Sequence, residues 1–316
     1  MQKTSLCLTI KNEEDNIAKL IHSINKQSKL PDEVIIVDGG SNDATLEVIK
    51  NLEKKVNFAI RLIELPNSTR SEGRNKAISQ ARFPIVALTD AGCVLDKKWL
   101  EEITRPIINN IADVVPGNYR IDTNNLSNFA IIAAYLTLHT PSDPNQNYLA
   151  SSRSLAVTKK TWMKSGGYPD ELNTAEDLVF VNNLKMNKVK HVNAPRAIVY
   201  WSPPNEITKI FKTFFMYAYG DGLAGLTSPH AYKYGVKLFL IGTVLFLSAF
   251  KFEFGIVLLV SLIIWWNFQA VKLKINSKLP RKIPTLTILT AVISLFWVTF
   301  GGYIFGLMMS KVNVRK

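Results

Sequence analysis

Cysteine is scarce in this chain: two residues in 316, Cys7 and Cys93. Each borders or lies within an apolar run, and there is no CxxC spacing, so a disulfide framework is excluded. The polar part of the chain is therefore expected to fold in a reducing compartment. Met1 to Thr4 run straight into a strand pattern without the charged and apolar regions of a signal peptide. No G-x-G-x-x-G follows the first apolar run, which argues against a dinucleotide-dependent dehydrogenase. Internal repeats, low-complexity tracts and an arginine-rich arm are also missing. The net charge of +13 thus lacks the context of a nucleic-acid binder and fits a protein lying on an anionic membrane face.

What is there falls into two halves of different composition. Up to about residue 235, short apolar runs alternate with charged helical patterns. Leu6–Ile10, Val34–Val37, Ile60–Glu64 and Ile85–Leu88 read as strands, and Glu13–Gln27, Asp43–Lys54 and Ser71–Ala81 as helices. Such alternation predicts an α/β fold with a mostly parallel sheet flanked by helices. Ligands bind such sheets at the carboxyl ends of the strands, where Asn12-Glu13, Asp38 and Asp90 all fall. The turn Val37-Asp38-Gly39-Gly40-Ser41-Asn42-Asp43 joins a buried strand to a helix with small residues that admit a ligand. Read alone, it is either a nucleotide turn or a helix start capped by Ser, Asn and Asp.

After about residue 235 the chain turns lipid-like. Ile283 to Ser310 and Phe254 to Val271 carry no charge, and Leu238 to Phe250 spans if Lys233 and Lys237 snorkel. The expectation is a 1–225 catalytic domain and a 226–316 membrane domain, with spans near 235–250, 254–271 and 284–310. Lys272, Lys274, Lys278, Arg281 and Lys282 lie between the last two spans. The positive-inside rule places that loop, and with it the N-terminal domain, on the cytoplasmic side of the cell membrane of a multi-pass protein. Lys311, Arg315 and Lys316 then lie outside, a conflict resolved in favour of the larger cluster. Phe211–Gly222 reads as an amphipathic helix leading to the membrane. Leu126–Leu138 is an apolar helix that is core, membrane-facing or acceptor-side.

Five motifs occur in a familiar order: Leu8-Thr9-Ile10-Lys11-Asn12-Glu13-Glu14, Val37–Asp43, Arg74-Asn75-Lys76-Ala77-Ile78, Leu88-Thr89-Asp90-Ala91-Gly92, and Gly166-Gly167-Tyr168-Pro169 followed by Glu176-Asp177. Over roughly residues 4 to 220 the pattern resembles the family-2 glycosyltransferases, which have the GT-A fold. The resemblance implies that Thr9 and Glu13 lie near the base and ribose of a nucleotide-sugar donor, that Asp38 accepts from a uracil ring, and that Arg74 steadies the nucleotide end. Glu13 also reads as a first-turn helix acid favoured by the macrodipole. Asp90 matches the first acid of the family's DxD motif, which holds a divalent cation, Mg²⁺ or Mn²⁺, on the donor diphosphate. Here the second acid is Gly92, and Trp201 stands where many relatives carry a metal-binding His. One carboxylate with phosphates and water still suffices for Mg²⁺. His191 reads as structural. Arg153, in Ser151-Ser152-Arg153-Ser154, is either a phosphate ligand or a surface arginine.

By the same resemblance, Asp177 is the general base on the acceptor hydroxyl, and Glu176 either orients the acceptor or packs at the helix start. The processive members' QxxRW motif is missing, which favours single-residue transfer. The expected function is a membrane-anchored inverting glycosyltransferase, moving a sugar from a UDP-sugar to a lipid-linked or cell-surface glycan acceptor. Its partners are then the donor, the acceptor and membrane lipids, with no nucleic acid. A polyprenyl-phosphate sugar synthase is the alternative within the class. A catalytically weak, nucleotide-binding membrane scaffold is the alternative outside it.

Overall fold

The computed structural model describes residues 2–137, 151–225, 279–280 and 282–313, with isolated helical positions at 242, 255, 257, 261 and 265. Contacts divide the chain into two units, one of Met1–Asp122 and His139–Ser202, the other of Thr123–Leu138 and Pro203–Lys316.

In the first unit, β1 (Thr4–Ile10), β2 (Glu33–Asp38), β3 (Ile60–Glu64) and β4 (Ile85–Leu88) alternate with α1 (Ile17–Asn25), α2 (Thr45–Glu53) and α3 (Arg70–Gln80). These are the strands and helices expected from periodicity, with bounds moved by a few residues. β1 pairs in parallel with both β2 and β4, and β2 with β3. Every residue of β2 is buried, including Glu33 and Asp38, so both faces of the sheet are covered. On one face Cys7, Ile35, Val37, Val86 and Leu88 pack against Ala77 and Ile78 of α3. The two cysteines are buried and unpaired.

The later half of the unit contains short elements that periodicity did not reveal. They are β5 (Cys93–Leu95), α4 (Trp99–Ile108), β6 (Val114–Pro116), β7 (Asn118–Ile121), β8 (Leu155–Thr158), α6 (Lys159–Lys164) and β9 (Ile198–Trp201). Two helices match the expected ones: α7 (Glu176–Met186), which starts at Glu176-Asp177, and α5 (Asn128–Thr137), which lies within Leu126–Leu138 and belongs to the second unit. β8 joins β4 antiparallel and β6 closes the edge, giving the order β3-β2-β1-β4-β8-β6. A second sheet has the order β5-β9-β7. Strands of three or four residues carry too few side chains for a period-2 signal to stand out.

Helix starts also differ from expectation. α1 begins at Ile17, not Glu13, because the Glu13 carbonyl accepts the N–H groups of Asn16 and Ile17 in a turn that leads into the helix. Glu13 is therefore not a first-turn acid.

The second unit consists of α5, α8 (Ile207–Leu223) and α9 (Thr285–Asn313) among the described residues. Thr285–Ser310 is 26 residues long with mean hydropathy 1.9, the one helix among the described residues long and apolar enough to cross a bilayer. At ~1.5 Å per residue it exceeds the ~30 Å hydrocarbon thickness. α8 and α9 meet backbone to backbone at glycines. A methyl group added at Gly302 would lie 3.1 Å from Phe215 Cα, one at Gly306 would lie 3.0 Å from the Tyr219 carbonyl carbon, and one at Gly222 would lie 2.9 Å from the Leu307 nitrogen. Gly302 and Gly306 are four apart, the small-xxx-small spacing that lets apolar helices approach closely. The expected spans at 235–250 and 254–271, and the loop from Lys272 to Arg281, fall almost wholly outside the described residues.

Two adjacent glycines, Gly166 and Gly167, have φ of +80° and +68°. A Cβ on Gly167 would come within 2.9 Å of Asn75 Oδ1 and 3.1 Å of Trp162 Nε1, whereas one on Gly166 meets nothing within 4 Å. Gly167→Ala should therefore destabilise by about 2–3 kcal/mol, and Gly166→Ala by about 1 kcal/mol from backbone strain alone. Thermal unfolding of the two variants in detergent should rank them in that order.

Candidate active site

The N-terminal end of α3 organises the site. Thr69 and Glu72 form a capping box, with the Thr69 hydroxyl accepting from the Glu72 N–H and the Glu72 carboxylate accepting from the Thr69 N–H. The same turn grips a distant segment. Thr69 Oγ1 donates to the Asp170 carbonyl at 2.6 Å, Ser71 Oγ to the Leu172 carbonyl at 2.8 Å, and the Arg70 N–H to Asn173 Oδ1 at 2.9 Å. Asn75 completes the clamp: its amide donates to the Tyr168 carbonyl and to Asp170 Oδ1, both at 2.7 Å, and its oxygen accepts from the Tyr168 N–H at 3.0 Å. Asn75 was part of a sequence motif, yet nothing in its type or spacing announced this role.

The clamped segment ends at Ala175, a non-glycine residue with φ of +63°, immediately before Glu176 and Asp177 open α7. Arg74 then joins three elements. Buried at 3 % exposure, it donates to Asp90 Oδ1 at 2.8 Å and to Glu176 Oε1 in a short contact. Burial opposes its charge, but the Asp90 and Glu176 carboxylates outweigh burial and hold it protonated. Its guanidinium also lies 5.5 Å from the Tyr168 ring. Asp90, at the end of β4, is pushed up by burial and pulled further down by the charges of Arg74 and Arg153, so its carboxyl stays below the usual range.

Arg153 Nε lies 3.8 Å from Asp90 Oδ2, and its guanidinium sits 4.2 Å from the Trp201 ring centre and 5.3 Å from that of Tyr119. It is thus a member of the acidic site and not an isolated surface arginine. Asp177 is half-buried, and its Oδ1 accepts from the Leu178 N–H at 2.9 Å. Burial first, then the neighbouring Glu176 charge, pushes its pKa up to about 6, against the pull of Arg74 and Arg153. Glu176 is buried on Arg74, which favours the helix-start packing among its expected roles.

The remaining expected residues lie at the ends of β1 and β2. Thr9 donates to the Val37 carbonyl at 3.2 Å, and a methyl at Gly73 would lie 2.9 Å from its Cβ, so α3 packs hard against it. Asp38 is engaged with its own turn. Its Oδ2 accepts the Gly40 and Ser41 N–H groups, both at 2.9 Å, and its Oδ1 accepts from the Ser41 hydroxyl. Of about four acceptor positions, about one is left for a ligand. Ser41 in turn accepts from the Asn12 N–H at 2.8 Å, which ties the two strand ends together. Glu13 accepts from Asn16 Nδ2 at 3.0 Å, and burial raises its pKa. His191 is exposed, and its backbone bridges to Val114.

The expected cation site at Asp90 is not made by the side chains around it. Gly92 supplies no ligand, Trp201 supplies none, and both carboxylate oxygens of Asp90 face guanidinium groups. Among the described residues no group of three or more His, Cys, Asp or Glu is arranged to hold a metal ion. The side chains present offer a divalent ion the Asp90 carboxylate alone, and Arg74 and Arg153 already engage it.

A parallel half-sheet ending in acids, extended by antiparallel β8 and β6, is the GT-A class of fold. Residues 5–165, just over half the chain, match the family model described as glycosyl transferase family 2, and the chain belongs to that family. It is 26 % identical over 194 residues to the poly(ribitol-phosphate) beta-N-acetylglucosaminyltransferase TarS of Staphylococcus aureus, covering 59 % of this chain and 33 % of that protein. It is 25 % identical over 177 residues to the glycosyltransferase AglE of Haloferax volcanii, covering 55 % of this chain and 58 % of the relative. The chain therefore spans between a third and three-fifths of these two curated relatives. Among solved structures, S. aureus TarS 1-349 in complex with UDP-GlcNAc aligns with a TM-score of 0.53 at 18 % identity, over 98 % of this chain and 92 % of that one. The mannosyltransferase PcManGT from Pyrobaculum calidifontis, in complex with GDP-Man and Mn²⁺, aligns with a TM-score of 0.60 at 15 % identity, over 100 % and 88 %. Likeness at that identity establishes the fold alone.

Arg74→Ala should lower stability by about 3–5 kcal/mol, because it leaves Glu176 buried without its cation. Arg74→Lys should recover only part of this, since an ammonium cannot reach both carboxylates in a planar fork. Chemical denaturation of the two variants checks the order.

Proposed function

We propose that the chain is a membrane-anchored, inverting glycosyltransferase that moves a sugar from a UDP-sugar to a hydroxyl of a lipid-linked or cell-surface glycan acceptor. The observation that carries this reading is Asp177. It opens α7 beside the Arg74–Asp90–Glu176 cluster, with a pKa raised to about 6. Such a carboxylate is ionised at neutral pH yet basic enough to take a proton.

In the proposed reaction, Asp177 accepts the proton of the acceptor hydroxyl as its oxygen forms a bond to the anomeric carbon. The bond from that carbon to the diphosphate oxygen breaks, and its electron pair leaves on the nucleoside diphosphate. One displacement inverts the configuration, by the logic of an inverting hydrolase with an alcohol in place of water. Asp38 and Thr9 stand at the strand ends where the base and ribose would lie, with Asp38 offering its remaining acceptor position. Glu13 shapes the adjoining turn. Arg74 keeps Asp90 and α7 in register across the site.

The anchor is α9, by its length and apolarity. Confining the enzyme to a membrane raises its effective concentration toward a lipid-linked acceptor. The UDP-GlcNAc held by the TarS structure makes that donor the first to try.

With UDP-GlcNAc and isolated membranes as acceptor, UDP release should follow a rising acidic limb centred near pH 6. Activity falls as the pH drops through that value, because protonated Asp177 cannot accept a proton. Asp177→Asn should reduce kcat by about 10²- to 10⁴-fold with UDP binding retained. A fully active Asp177→Asn enzyme rules out the base assignment. Replacing the membranes with polyprenyl phosphate distinguishes a glycan acceptor from a lipid-phosphate one.

A further inference from the structure

We propose that the Arg153 guanidinium does the work of a divalent cation at this site, neutralising the departing diphosphate of the donor without a metal ion. The inference rests on the reading of the site as one for a nucleoside diphosphate donor.

Three observations converge. The first is that the two replaced ligand positions are neighbours in space. β5 and β9 pair antiparallel with Cys93 opposite Trp201, and the Ser202 N–H donates to the Gly92 carbonyl at 3.0 Å. A Cβ on Gly92 would lie 4.0 Å from Trp201 Cδ1. An acid at 92 and an imidazole at 201 would thus meet over one spot. The second is that Arg153 lies on the Trp201 side of Asp90, stacked 4.2 Å from the Trp201 ring centre and 3.8 Å from Asp90 Oδ2. A cation there would sit against a guanidinium of like charge, with the second oxygen of its single carboxylate already held by Arg74.

The third is that the arginine is held in place by its neighbours. Ser152 and Ser154, on either side of it, are each 2 % exposed. The Ser152 hydroxyl bonds the Tyr168 hydroxyl at 2.7 Å. Ser154 Oγ accepts from Trp99 Nε1 at 2.9 Å and donates to the Ala197 carbonyl at 3.2 Å. A Cβ on Gly117 would lie 2.8 Å from that same carbonyl, so the backbone closes tightly around the turn. Both serines point inward and Arg153, whose side chain is 17 % exposed, turns toward Asp90 at the mouth of the site. A guanidinium held over an indole keeps planar N–H groups of the kind that fork onto phosphate oxygens.

The test is calorimetric binding to the full-length chain in detergent, with UDP and UMP as probes and EDTA present. UDP should bind at least about tenfold tighter than UMP, and adding Mn²⁺ should change UDP affinity by less than about threefold. Arg153→Gln should bring UDP down to the UMP level with UMP binding unchanged, a difference that a misfolded variant could not produce. In the converse variant, Gly92→Asp with Trp201→His, Mn²⁺ should begin to tighten UDP binding. The proposal is overturned if UDP and UMP bind alike in EDTA and separate only on adding Mn²⁺, if Arg153→Gln keeps the UDP preference, or if no nucleoside diphosphate binds in EDTA. GDP and GMP are run alongside. A chain that prefers GDP over GMP in EDTA but ignores UDP overturns the UDP-donor reading and leaves the role of Arg153 standing.

Discussion

The buried guanidinium of Arg74 is the interaction on which the rest of the site depends. It reaches back to Asp90 at the end of β4 and across to Glu176 at the start of α7, elements far apart in sequence. Burying a charge costs several kcal/mol, and one carboxylate would offset it poorly. Two carboxylates and the fork of an arginine make the arrangement tolerable and set its geometry at once. Around it, Arg74 and Arg153 bring two positive charges against three from Asp90, Glu176 and Asp177. Burial and the neighbouring Glu176 charge outweigh the pull of the two guanidinium groups on Asp177 and favour its uptake of a proton.

Arg74 can hold this position because α3 does not act through one residue. Thr69, Ser71 and Asn75 fasten the segment from Tyr168 to Asn173 to the first turns of the helix. Each net hydrogen bond contributes about 1 kcal/mol, so the clamp offsets part of the entropy lost in ordering a loop of that length. The helix itself is weakly amphipathic, and several of its buried positions are small or polar: Ser71, Gly73, Arg74 and Ala77. It is shaped for close approach at its N-terminal end, where Thr9 packs against Gly73.

Much of this was legible in the chain before any coordinates. Val34–Val37 and Ile85–Leu88 announced buried parallel strands because every position is apolar. Asp38 and Asp90 were legible as acids at the ends of such strands, and Asp177 as an acid at the start of a helix. Other features were hidden for physical reasons. β5, β7 and β9 are too short to show a period, so the second sheet that brings Trp201 to Gly92 could not be seen. Asp38 was read as a waiting acceptor, whereas three donors of its own turn engage it. Arg153 was ambiguous because its identity depends on Tyr119 and Trp201, distant residues that no spacing rule connects. Asn75 was visible as a letter in a motif but not as a clamp, since its partners lie more than 90 residues away.

The glycine contact between α8 and α9 has a consequence for the order in which the chain matures. Its two faces, around Tyr219 and Gly222 on one helix and Gly302 and Gly306 on the other, are separated by the whole stretch from Leu223 to Thr285. A ribosome adding ~5–20 residues per second makes α8 several seconds before the glycines of α9 exist. During that interval the Tyr219–Gly222 surface lacks the α9 glycines that pack against it. Closure of this helix pair therefore waits on α9, and its timing is set by translation and membrane insertion as well as by packing.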